Sequence, residues 1–178
     1  MKAQEFLELL QKENINIDDL GTLVVQALNK KSLKIATAES CTGGLISKLI
    51  TDVSGSSSVF DCGVCTYANH IKNKLINVKE ETLSTYGAVS DKTAQEMARG
   101  VRLLSGADIG ISTTGIAGPM GGTQYKPVGT VYIGISTKDK LLSHKVMLAQ
   151  GREPQRSSIR KLASACALFY ALGEIVEI

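Results

Sequence analysis

Ile35-Ala36-Thr37-Ala38-Glu39-Ser40-Cys41-Thr42-Gly43-Gly44 passes from an apolar, β-prone run into a turn of small and hydroxyl-bearing residues. Leu45-Ile46-Ser47-Lys48-Leu49-Ile50 then leaves that turn with helical apolar spacing. The stretch predicts a strand, a tight turn and a helix start. Paired glycines let the backbone approach a ligand or take positive φ, and the free N–H groups of a first helical turn suit an anion or an oxyanion. The turn lacks the Lys of a P-loop and matches neither GxGxxG nor GxSxG. The competing reading is a glycine-softened connection with Ser40 or Thr42 as a helix cap.

Around this stretch the chain has 178 residues with a net charge of +3, no Trp and 4% aromatics. That length fits one domain with an aliphatic core, residues 1–178, in which 1–17 form an extra amino-terminal helix outside a core of 18–178. No apolar run is long enough for a membrane span, and Met1-Lys2-Ala3-Gln4-Glu5-Phe6 lacks a signal-peptide core, so the expected location is cytoplasmic. Scattered basic residues give no stripe that would track nucleic acid. The four cysteines of such a chain are expected to be reduced.

Helical spacing is found over residues 3–12 and again from Asp18-Asp19, whose carboxylates can cap the second helix. The first helix reads as an appendage. Beyond the opening turn, Val59 to Tyr67 predicts a strand, and Asn69 is placed to cap a short helix carrying Ile71, Lys72, Leu75 and Ile76. Glu80 to Tyr86 is a further short helix, and Ser90 caps the next, with Ala94, Met97, Ala98, Val101 and Leu104 on one face. Ala107 to Thr113 reads as a buried strand running into the glycine-rich loop Thr114 to Gly122, which is too long for a hairpin and suits a ligand. Val128–Ser136 and Leu141–Ala149 form a hairpin, and a helix runs from about Pro154 to Leu172.

Strands alternating with helices and ending in one hairpin predict an α/β fold, a three-layer α/β/α sandwich with a mixed β-sheet. Ligands of such sheets bind outside the carboxyl ends of the parallel strands. Glu39 to Gly44, Tyr67 to Lys72 and Thr113 to Gly122 all leave strands at that end.

Thr37 to Gly44, Tyr67-Ala68-Asn69 with Lys72, Gly87-Ala88-Val89-Ser90, Thr114-Gly115-Ile116-Ala117-Gly118-Pro119 and Pro127-Val128-Gly129-Thr130-Val131 together resemble the carboxy-terminal domain of the CinA proteins. The resemblance covers about residues 19–172. Standalone members of that family are nicotinamide-nucleotide amidases. The resemblance implies hydrolysis of nicotinamide mononucleotide to nicotinic acid mononucleotide and ammonia, without metal or cofactor, by a homodimer. The alternative is a nucleotide-binding or adaptor module of the competence-damage type, without turnover.

Amide hydrolysis needs a nucleophile, a base, donors for the tetrahedral oxyanion and an acid for departing ammonia. Ser40 is the candidate nucleophile and Lys72 the base, provided its pKa is depressed, with Tyr67 relaying or holding the proton. Backbone N–H groups around Thr42 and Gly43 are the candidate oxyanion donors, with Glu39, Cys41 and Gly44 beside them in the expected oxyanion and substrate-binding turn. Thr114 and the backbone of Gly115 to Gly118 would grip the carboxamide or ribose, and Arg152 or Arg156 the phosphate, with the family pattern favouring Arg152.

Each residue also has a plainer reading. Most lysines are exposed, Tyr67 can end a strand in water, and Glu39 can orient Lys72 or merely cap the turn. Cys41 is a rival nucleophile at a helix start. Cys62 and Cys65 lie within a strand, which disfavours redox or shared metal chemistry. His70 and His144 have no second ligand at metal spacing and read as surface residues.

Overall fold

A computed structural model describes residues 1–149 and 155–177 of the chain. Five strands, β1 (Ile35–Glu39), β2 (Phe60–Cys65), β3 (Ile109–Gly115), β4 (Thr130–Ser136) and β5 (Leu141–Met147), form one mixed sheet in the order β2-β1-β3-β4-β5. The first three strands are parallel and the last two antiparallel. Glu39 pairs with Cys65 on one side and Thr113 on the other, so the chain leaves β1, β2 and β3 along a single edge. The antiparallel pairing of Gly115 with Val131 brings the start of β4 to the same edge.

The helices are α1 (Ala3–Lys12), α2 (Leu20–Lys31), α3 (Leu45–Thr51), α4 (Asn69–Ile76), α5 (Glu80–Thr85), α6 (Asp91–Ser105) and α7 (Arg156–Glu177). The larger core gathers Phe6, Val24, Leu28, Ile46, Ile159 and Leu168 from α1, α2, α3 and α7 against Ile35, Ile109, Ile111 and Ile133 of the sheet. A smaller core on the other face joins Ala36 and Ala38 to Ile76 of α4 and to Met97 and Val101 of α6. Strand side chains alternate between faces, and β1 keeps this alternation to its end. Ile35, Thr37 and Glu39 meet the α3 layer, whereas Ala36 and Ala38 meet the α4 and α6 layer. Continued by one residue, the alternation directs Ser40 to the α4 side.

The narrow spacing of sheet and α6 depends on two glycines. A Cβ on Gly110 would stand 2.1 Å from the Ala98 carbonyl oxygen, and one on Gly134 2.1 Å from that of Ala94. Either would push the helix off the sheet.

Several local expectations need correction. The amino-terminal helix is no appendage: Phe6 is fully buried, its ring meets Phe169 edge-on at 5.7 Å, and Lys2 bridges to Met147 beside β5. Neither Asp18 nor Asp19 caps α2. Asn16 instead accepts from the Asp18 N–H at the preceding 3₁₀ turn. Asn69 is the first residue of α4 and not its cap, because Ala68 already has the extended backbone of the capping position. The Ser90 cap forms as expected, accepting from the Thr93 N–H. The expected helix start at Pro154 lies outside the described residues. No helix among those residues is long and apolar enough to cross a membrane.

Candidate active site

Ser40 stands where β1 ends, held by its N–H to the Thr113 carbonyl of the neighbouring strand at 3.0 Å. Lys72 reaches it from α4, with Nζ 3.2 Å from Ser40 Oγ, 2.8 Å from the Thr66 carbonyl oxygen and 3.0 Å from that of Tyr67. The lysine is 1% exposed, which overturns the expectation for a typical lysine. No carboxylate among the described residues lies within ion-pair distance of Nζ. Burial pulls its pKa below the ordinary lysine value, and the Cys41 thiol opposes this weakly. A neutral amine has two N–H donors and one lone pair. Nζ is within donating distance of all three oxygens; in the neutral form the carbonyls of Thr66 and Tyr67 would take its two donors and leave the lone pair for the Ser40 hydroxyl, the arrangement a general base needs.

Glu39 resolves in favour of the cap. Its fully buried carboxylate accepts from the N–H groups of Gly44, Ile46 and Ser47 and from the Ser47 hydroxyl, at 2.8–3.1 Å. It makes no hydrogen bond to Lys72. The first turn of α3 is consequently not the open anion site expected of it, since a carboxylate from the preceding strand already occupies those donors. Gly44 is excluded as an oxyanion donor for the same reason. The N–H groups of Thr42 and Gly43 find no backbone acceptor among the described residues. Gly43 and Gly44 have φ of 59° and 93°, the left-handed backbone that lets the turn close within so few residues.

Beside the turn lies a cavity of about 190 Å³ lined by Cys41, Tyr67, Gly115, Ala117, Gly118 and Arg156, among others. Its size is below the range of about 300–1,000 Å³ usual for whole small-molecule ligands, so it suits part of one. Arg156 spans the cavity, donating from Nη1 to the Gly118 carbonyl at 2.7 Å and from Nη2 to the Tyr67 hydroxyl at 3.0 Å. Tyr67 thus departs from expectation. The residue is 62% exposed and its hydroxyl serves Arg156, while only its main-chain carbonyl meets Lys72. Thr114 is also committed elsewhere, donating to the Ala88 carbonyl at 2.6 Å. Gly115 is required by packing, because a Cβ there would lie 2.6 Å from the Thr130 carbonyl oxygen. Gly118 does line the cavity, and Arg152 lies outside the described residues.

Thr42 is locked by two contacts that sequence reasoning missed. Its hydroxyl pairs with that of Thr113 at 2.7 Å, and its carbonyl accepts from Nη2 and Nε of Arg160 at 2.6 and 3.2 Å. The available signal was spacing: Arg160 follows Arg156 by one helical turn, so both face the same edge of the sheet.

Among the cysteines, Cys41 is 4% exposed, and burial pushes its thiol up to about 12. It is therefore a poor nucleophile at neutral pH. Burial also raises Cys62 and Cys65, and all four cysteines are free. His70 is exposed, but His144 is half-buried and stacks on Tyr170 with ring centroids 3.9 Å apart, so it is not a simple surface residue.

The model of the CinA C-terminal domain matches residues 17–173. A nicotinamide-nucleotide amidohydrolase, PncC, of Enterobacter agglomerans is 44% identical over 162 residues, covering 90% of this chain and 96% of its own. A competence-damage inducible protein of Caldanaerobacter subterraneus subsp. tengcongensis is 50% identical over 143 residues, 80% of this chain. The chain spans only 35–38% of the length of that relative and of two similar proteins from Thermoanaerobacter. The crystal structure of a competence/damage inducible protein from Agrobacterium tumefaciens superposes with a TM-score of 0.82 at 39% identity, covering 88% of this chain and 95% of that one.

Proposed function

The chain belongs to the CinA C-terminal domain family, and from that premise we propose that it hydrolyses the carboxamide of nicotinamide mononucleotide to nicotinic acid mononucleotide and ammonia. The observation that carries this reading is the buried Lys72 amine, 3.2 Å from Ser40 Oγ with no carboxylate among the described residues in ion-pair contact with it. Ser40 Oγ adds to the carboxamide carbon while Lys72 takes its proton. The oxyanion forms against the N–H groups of the turn at Thr42 and Gly43. Lys72 returns the proton to the nitrogen as the C–N bond breaks and ammonia leaves. Water then adds to the Ser40 ester, again giving a proton to Lys72, and collapse releases the carboxylate and restores the serine.

Arg156 is the phosphate ligand of this proposal. Its guanidinium already stands at the cavity, and its two present acceptors, a carbonyl and a hydroxyl, are weaker partners than a phosphate dianion. Tyr67 acts with Arg156 and not as a proton relay. The amidohydrolase name of a relative that matches 96% of its own length supports the substrate. The homodimer belongs to the same proposal, and light scattering of the purified chain tests it.

The deciding experiment follows nicotinic acid mononucleotide and ammonia from nicotinamide mononucleotide, with and without a chelator. Equimolar products in both conditions are expected. Binding of the mononucleotide without product by the folded chain would favour the adaptor reading, which the competence-damage names of other relatives suggest.

A further inference from the structure

We infer that Arg160 is a positioning residue that orients and polarises the Thr42–Gly43 peptide as an oxyanion donor; this rests on the amide-hydrolysis reading above. The carbonyl of Thr42 accepts two N–H groups from one guanidinium, at 2.6 and 3.2 Å. In a trans peptide the C=O and the following N–H point in opposite directions. Arg160 belongs to α7, which packs with α2 and α3 on one face of the sheet, while Lys72 comes from α4 on the other. A Thr42 carbonyl turned toward α7 therefore turns the Gly43 N–H toward the layer from which Lys72 reaches Ser40. That N–H has no backbone acceptor among the described residues.

The rest of the turn supports the same orientation. The Thr42 side chain is anchored to Thr113, and the Gly44 N–H is anchored to Glu39, so the peptide between them is held at both ends. Gly43 has positive φ, and a Cβ there would come 3.3 Å from Arg160 Nη2, so the residue that frees the N–H also makes room for the guanidinium. A cation on the carbonyl draws electron density through the peptide and makes its N–H a better donor to a developing negative charge. Arg160 touches no reacting atom in this arrangement.

Removing one oxyanion donor costs about 10²–10³ in kcat. Arg160 works through such a donor, so Arg160→Gln should lower kcat by about 10- to 100-fold with KM changed less than about threefold, and Arg160→Lys should recover part of the loss. The acidic limb of the pH–rate profile should stay in place, because Lys72 is untouched. In the free protein, the Gly43 amide resonance should shift in Arg160→Gln and partly return in Arg160→Lys. A kcat within about threefold of wild type, or a loss confined to KM, overturns the positioning role. An unmoved Gly43 resonance overturns it too, whatever the turnover. Inactivity of the wild type toward the mononucleotide would overturn the amide-hydrolysis reading instead, while the resonance would still test whether Arg160 sets this peptide.

Discussion

Replacing Glu39 with Gln separates the two roles that a buried acid beside Ser40 and Lys72 could play. The carboxylate holds four donors, two on each oxygen: Gly44 and Ile46 N–H on one, Ser47 N–H and Oγ on the other. A glutamine keeps one carbonyl oxygen and turns an NH₂ toward the second pair. The least costly orientation sets the NH₂ against Ser47, whose hydroxyl can rotate to accept while its N–H loses its partner. The remaining pair weakens from charge-assisted to neutral bonds, about 1 kcal/mol each, and the orphaned N–H costs about 1–2 kcal/mol more. The sum is about 3–4 kcal/mol, or roughly 10 °C in Tm for a chain of this size. Calorimetry reads the stability, and the pH dependence of kcat/KM reads the site. Glu39→Gln should lose the stability and leave the acidic limb where it was. A Tm within about 2 °C of wild type, or a displaced limb with Tm intact, would refute the capping role and make Glu39 a partner of Lys72.

Further outcomes follow from the same contacts. Since burial holds the Lys72 pKa below 10.5, kcat/KM should rise with pH through that lowered value and level off beyond it. Between the lowered value and the ordinary one, the unfolded chain binds the extra proton, so unfolding free energy should rise with pH there, and Lys72→Met should lack that slope in denaturant titrations. Cys41, with its thiol at about 12, should be alkylated on the order of 10³-fold more slowly than free cysteine at neutral pH, with exposed Cys65 labelled first in peptide mapping. Phe6→Ala should cost about 3–5 kcal/mol in denaturant unfolding, a loss that a dispensable appendage would not produce.

The layer order was legible because periodicity and strand-to-helix spacing are local signals, and the β1 stretch carried both the parallel sheet and the placement of Ser40. Lys72 could be placed near the strand end from its position in a short helix, but its burial depends on α4 folding back over the edge of the sheet. What sequence could not show was competition for partners. The free N–H groups expected at the start of α3 are real in an isolated helix, yet the side chain of Glu39, from the strand before it, reaches them first. Tyr67 and Thr114 were assigned by residue type, and their hydroxyls turned out to be engaged by Arg156 and the Ala88 carbonyl, from elements distant in sequence. Arg160 escaped notice because its role lies in the orientation of one peptide, which no residue pattern specifies. The amino-terminal helix lies outside the matched family region, and its amphipathic spacing alone did not reveal what its apolar face covers.

The central claim is that a serine, activated by a neutral buried lysine, opens the amide. Ammonia release from nicotinamide mononucleotide by Ser40→Ala beside Cys41→Ala, with both variants shown to be folded, tests it most directly. The geometry predicts that turnover disappears in Ser40→Ala and survives in Cys41→Ala. Turnover retained in Ser40→Ala and lost in Cys41→Ala would contradict it and transfer the chemistry to the thiol.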